Sequence, residues 1–373
     1  MSMTFFFHTS PLRPFMLPPI SPIAYRPALT GLRAVAVWLV VLAHWTRAPF
    51  PVGEIGRITF FVLSGYLISG IIWKQQLHPG APAGWGRRLV TFYQRRGLRI
   101  LPPYYLALLL GALLPLATLR EYPGWFILPV SNLLFYRLHH WGEGVGHYWT
   151  MAVDEQFYLV WPFLLGLMGR RIGPLLAVAG SALLFRILWS TWVSPDFVLV
   201  LLPSCLDMFA IGAVLRIVEH SPRVQALAQG RWVVLAWAAW AGLWLATHAT
   251  NAHALWLFVY TTVGSGAAFL TLSWVLHRPA VGQAHGTNFL LSPVLQWVGQ
   301  RSYGCYLYHL LLPVLYQRVV FRIFPTAETR QFWLSPLPTV LLLLPVLLLL
   351  AATSWHWLEA PLNKWKNRLA YAE

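Results

Sequence analysis

Ten apolar stretches punctuate the chain, near residues 31–48, 58–73, 100–118, 149–168, 174–192, 198–216, 232–249, 254–276, 303–321 and 336–358. Each is about long enough to cross a hydrocarbon core of roughly 30 Å as an α-helix. Within lipid every backbone N–H and C=O must find a partner inside the protein, so uninterrupted apolar runs of this length fold as helices. The expected fold is therefore all-α, a polytopic integral membrane helical bundle of about ten transmembrane helices. Composition agrees: 58% of residues are hydrophobic, 10% are charged, and the mean hydropathy is +0.58.

The net charge of +16 would suggest nucleic acid in a water-soluble protein. Here most Lys and Arg fall in alternate loops between apolar runs, where they orient a membrane protein with its basic loops inside. Nucleic-acid binding is not expected, and ten spans with both termini cytoplasmic satisfy the charge pattern. Residues 1–25 are rich in proline and lack a signal-peptide core, which reads as a cytoplasmic tail. A single transmembrane domain is expected over 26–364, with a second short tail over 365–373. The outer loop 119–148, with its Trp and Tyr, suggests a re-entrant or interfacial helix. Cys205 and Cys305 both lie in apolar runs, so neither a disulfide framework nor a metal site is indicated.

The first span holds two polar side chains, Arg33 and His44. Eleven residues at about 100° each return His44 to within roughly 20° of Arg33, about 16 Å along the axis. The two share one stripe. Ionisable groups at membrane depth usually face a bundle interior or a watery cavity, although each could instead snorkel toward its nearer interface.

Two further constellations stand out. Five arginines occur within thirteen residues of "RRLVTFYQRRGLR", and Arg95, Arg96 and Arg99 fall within about one turn at the mouth of the third span. Guanidinium groups bind phosphate in bidentate fashion, so this cluster is a candidate for a phosphorylated ligand as well as a topological marker. Asp154 and Glu155 head the fourth span, at the depth expected for His44. A carboxylate there could fix the imidazole tautomer for general-base work, or only complement the helix N-terminus. Arg186 and Asp207 are read as a structural ion pair. His309 reads at least as well as a packing residue as a functional one, and Glu359 as a partner of nearby cations.

The stretches "RPALTGLRAVAVWLVVLAH", "FFVLSGYLIS", "FYQRRGLRILPPYY", "HYWTMAVDEQFYLVWP", "LDMFAIGAVL", "GQRSYGCYLYHLLLP" and "WLEAPLNKW" together resemble the acyltransferase-3 family of bacterial integral-membrane O-acyltransferases. The resemblance runs from about Arg26 to Lys364. It implies transfer of an acyl group, most often acetyl from cytoplasmic acyl-CoA, to a hydroxyl of a carbohydrate or other extracytoplasmic acceptor across the bacterial inner membrane. It further implies that Arg33 and His44 are essential, that Arg95, Arg96 and Arg99 serve acyl-CoA, and that one of Asp154 and Glu155 is catalytic. The family tends to carry aspartate where this chain has Thr30, so a contact through that carboxylate would be missing. A standalone member, with no esterase-like domain, no metal and no bound cofactor, is expected. Two other readings stay open: a transporter of a polar solute built on the same buried charges, and the same fold transferring succinyl or a longer acyl group.

Overall fold

The computed structural model describes residues 25–77, 84–250, 259–277, 288–369 and 371. The proline-rich tail expected over 1–25 lies almost entirely outside the described residues. Among those described, every regular element is helical. The principal helices are α1 (Pro27–Thr46), α2 (Val52–Gln75), α3 (Trp85–Leu113), α7 (Tyr148–Met168), α8 (Ile172–Trp192), α9 (Leu202–Val218), α11 (Gly230–Thr250), α12 (Gly264–Leu276) and α17 (Pro336–Ser354). Between α3 and α7, the long loop folds as three short helices, α4 (Ala117–Glu121), α5 (Pro123–Ile127) and α6 (Ser131–Leu138). Helix α10 (Pro222–Leu227) joins α9 to α11; α13 (Pro293–Gln300), α14 (Ser302–Tyr308), α15 (Leu311–Ile323) and α16 (Ala327–Trp333) precede α17, and α18 (Ala360–Arg368) follows it.

Among the described residues, five helical segments are long and apolar enough to cross a membrane: Pro27–Thr46, Val52–Gln75, Ile172–Trp192, Gly230–Thr250 and Pro336–Arg368. Three of the other expected spans depart from that standard for visible reasons, and residues 254–258 of the span expected at 254–276 lie outside the described residues. Helix α3 begins at Trp85 rather than near residue 100, taking the arginine cluster into its own body. Helix α9 has 17 residues, and the span expected at 303–321 is interrupted between α14 and α15. The last helix continues to Arg368, past the boundary expected at 364.

Close backbone approach builds the centre. A Cβ on Gly65 of α2 would collide with the Phe209 carbonyl of α9, and one on Gly212 would collide with the Val62 carbonyl. The two glycines thus permit one another's helix to approach, as small residues do at lipid-embedded interfaces. Helix α1 is seated the same way, Gly31 against the Leu290 carbonyl and Gly299 against that of Thr30. The ion pair Arg186–Asp207, at 2.9 Å and fully buried, ties α8 to α9. Thr262 completes it, accepting from Arg186 at 2.7 Å and donating to Asp207 at 3.2 Å, which bears out the structural reading of this pair. Helices α8 and α11 bury only 17% and 11% of their apolar windows. With Leu176, Leu184, Val234 and Leu235 exposed, they present the outward apolar faces that a bilayer would cover.

Candidate active site

The stripe on α1 opens into two neighbouring cavities. One, of about 150 Å³, is lined by Arg33, Arg57, Ser64, Arg96, Arg99, Asp154, Tyr158 and Tyr303 among apolar groups. The other, of about 1070 Å³, is lined by His44, Glu54, Arg57, Trp141, His147, Trp149, Asp196, Phe197 and Tyr260 among others. Arg33 therefore belongs to an arginine cavity and His44 to a histidine cavity. Three side chains, Arg57, Thr150 and Tyr306, line both, and they form the constriction between them.

Around His44 the backbone of the interrupted helix decides the chemistry. Pro313 cannot donate an N–H, and its ring crowds the carbonyl four residues earlier, which is that of His309. The helix breaks at His309–Leu310, and the freed carbonyls are taken by side chains. Trp45 Nε1 donates to the His309 carbonyl at 2.8 Å, and His309 Nδ1 lies 2.6 Å from the Tyr306 carbonyl. His147 Nε2 and the Tyr148 hydroxyl both reach the Leu307 carbonyl, at 3.2 and 3.1 Å.

These contacts assign the ring protons. A carbonyl only accepts, so His309 carries its proton on Nδ1 and leaves Nε2 bare. His44 Nδ1 is 2.9 Å from the Val40 carbonyl and must also be the protonated nitrogen. Its N–H then also points to the bare His309 Nε2 at 3.3 Å. By elimination the lone pair of His44 is on Nε2, on a side chain exposed to the histidine cavity. His309 is fully buried beneath it. His147 packs 4.6 Å from the His309 ring and, among the described residues, its own buried Nδ1 has no partner. In sequence alone His309 reads equally as a packing or a functional residue; Pro313, four residues on, is the signal that marks the helix break beside it.

The acidic pair lies elsewhere than expected. Helix α7 starts at Tyr148, so Asp154 sits six residues inside it, about 9 Å beyond the His44 end. Asp154 lines the arginine cavity, with Ser64 in hydrogen-bonding reach, and neither acid is among the contacts of His44. Among the described residues, the Asp154 Oδ1 and Glu155 Oε1 atoms are buried without hydrogen-bond partners.

The arginine cluster also divides. Arg96 and Arg99 line the cavity with Arg33. Arg95 turns away, donating to the carbonyls of Lys366 and Leu369 at 3.0 and 2.5 Å and lying over the Tyr371 ring. Glu359, buried, accepts at 3.1 Å from Ser354, which in turn accepts from Tyr308 at 3.0 Å. Arg57, which the sequence did not single out, pairs with Glu54 one helical turn away.

The relatives that the sequence matches are named for O-acetyl transfer. The putative peptidoglycan O-acetyltransferase YrhL of Bacillus subtilis is 27% identical over 376 residues, 91% of this chain and 55% of that protein. The peptidoglycan O-acetyltransferase OatA of Listeria monocytogenes is 25% identical over 384 residues, 91% of this chain and 56% of its own length. A putative O-acetyltransferase of Staphylococcus aureus is 29% identical over 154 residues, covering 38% of this chain and 25% of that one. The chain thus spans about half the length of the first two relatives. No solved structure matches it. Residues 26–356 match the model of the family described as an acyltransferase domain, so this chain belongs to the acyltransferase-3 family.

Proposed function

We propose that the protein is a membrane O-acetyltransferase that carries acetyl from acetyl-CoA, entering by the arginine cavity, to a carbohydrate hydroxyl held in the histidine cavity. The observation that carries this reading is the pair of cavities of opposite character meeting at one constriction, with Arg33 and His44 on either side. Arg33, Arg96 and Arg99 offer forked donors for phosphate. At about 150 Å³ the arginine cavity suits the narrow pantetheine end of the donor, with the nucleotide at its mouth.

The histidine cavity is wide enough for a saccharide, and its walls combine aromatic faces, Trp141, Trp149 and Phe197, with the carboxylates of Glu54 and Asp196. Apolar ring faces and hydroxyl-accepting carboxylates are the complement of a sugar. The relatives' printed names, which specify peptidoglycan, support a glycan acceptor of this kind. His44 Nε2 removes the acceptor proton as the hydroxyl attacks the thioester directly, and His309 steadies the imidazolium that results. The basic loops support an orientation in which the arginine side and both termini face the cytoplasm of a bacterial inner membrane.

The test is reconstitution in proteoliposomes with acetyl-CoA supplied alone or with peptidoglycan fragments. Thiol release that depends on the glycan, together with a base-labile acetyl ester on it, is expected. Intact acetyl-CoA alongside uptake of a polar solute would contradict the assignment and favour transport.

A further inference from the structure

The constriction between the two cavities is where a thioester from one side meets a hydroxyl from the other, and three side chains form it. The hydroxyls of Thr150 and Tyr306 are 2.5 Å apart, and each also reaches the His147 carbonyl, at 3.1 and 3.0 Å. Their two protons are thus engaged within one small triangle. Arg57 differs. Its Nε donates to Glu54 Oε2 at 2.6 Å and its Nη2 pairs with the same carboxylate. Its Nη1 reaches, among the described residues, only the Met208 thioether at 3.7 Å, a weak acceptor.

A buried guanidinium edge facing a thioether is an expensive arrangement unless something else accepts from it. The edge is also held in place. The Phe61 and Trp149 rings lie 5.6 and 5.4 Å from the guanidinium carbon, and Glu54, three residues back on the same helix face, fixes the rotation.

From this geometry we infer that Arg57 is a catalytic residue, whose Nη1 binds the thioester carbonyl oxygen at the constriction and stabilises the oxyanion formed there. The inference rests on the acetyltransferase reading above. As the acceptor oxygen bonds to the carbonyl carbon, the π pair moves onto the carbonyl oxygen at Nη1 while His44 Nε2 takes the hydroxyl proton. Collapse restores the C=O and breaks the C–S bond. The leaving thiolate recovers the proton from His44, giving an acetyl ester and free CoA thiol. Because Glu54 already neutralises Arg57, the donor is oriented before the charge appears, which is the condition under which such donors act most strongly.

The experiment compares wild type, Arg57→Lys and Met208→Leu in the reconstituted assay, with CoA binding measured separately. Arg57→Lys keeps the cation and its pairing with Glu54 but loses the Nη1 edge, and Met208→Leu removes only the structural partner of that edge at nearly constant volume. Expected is a fall of about 100-fold in kcat for Arg57→Lys, with CoA affinity within about threefold of wild type and Met208→Leu fully active. A kcat for Arg57→Lys within about threefold of wild type overturns the inference. So does a loss in Met208→Leu matching that in Arg57→Lys, or CoA binding that falls in step with turnover, since either makes Arg57 structural. A wild-type protein inert with every acyl-CoA overturns the acetyltransferase reading itself, and the inference with it.

Discussion

Replacing His309 tests whether the break in its helix serves His44. In the resting site His309 Nε2 accepts a neutral N–H from His44 at 3.3 Å, a bond worth on the order of 1 kcal/mol net. When His44 takes the acceptor proton the same bond becomes charge-assisted, worth about 1.5–3 kcal/mol. The extra stabilisation of the charged state is thus about 0.5–2 kcal/mol, or roughly two- to thirtyfold in rate. His309→Ala should lower kcat by about that factor while leaving the KM for acetyl-CoA unchanged, because the arginine cavity does not include His309. His309→Gln should recover part of the loss, since its carbonyl oxygen can accept from His44 while its amide donates to the Tyr306 carbonyl. The assay is steady-state acetyl-ester formation by purified protein, normalised to the folded fraction by thermal melting in detergent. An Ala variant that folds and turns over within twofold of wild type would refute the reasoning.

The arginines should separate by function. Arg96→Gln and Arg99→Gln should each raise the KM for acetyl-CoA by about tenfold, the worth of roughly one charge-assisted contact, whereas Arg95→Gln should leave KM unchanged and loosen only residues 366–371, seen as faster hydrogen exchange there. At the buried pair, Arg186→Met leaves Asp207 uncompensated and should destabilise the protein by about 3–5 kcal/mol. The double variant Arg186→Met/Asp207→Leu should regain most of that stability; a double variant as unstable as the single would show that the pair supplies more than charge balance.

The elements legible in sequence were those governed by local pattern. Apolar length marked α1, α2, α8, α11 and α17, and the eleven-residue spacing gave Arg33 and His44 a common stripe, whose two ends line the arginine and histidine cavities. The pairing of Arg186 with Asp207 was legible because two buried charges of opposite sign on adjacent spans have few other partners. Depth was harder. Helix α7 begins at Tyr148, within one residue of the expected start, but Asp154 lies six residues inside it and not at the head of the span, a depth that puts it in the arginine cavity and not beside His44. Helix α3 absorbed its arginines because their long stems extend a helix as readily as they flank one. Arg57 was hidden at the edge of an apolar run, where a single arginine looks like a marker of topology. Its position at the constriction follows from the packing of α2 against α9, set by Gly65 and Gly212, a tertiary feature with no local periodicity.

If His44 acts as a base in direct transfer between the two cavities, acetyl passes from thioester to hydroxyl with no covalent stop on the protein. Radiolabelled acetyl-CoA mixed with purified protein and a peptidoglycan fragment, quenched rapidly and resolved into protein and glycan fractions, tests it for wild type and His44→Ala. Label on the glycan alone is expected with wild type, and no transfer by His44→Ala despite retained CoA binding. Label held covalently on the wild-type protein, or transfer by His44→Ala at a rate near that of wild type, would contradict it.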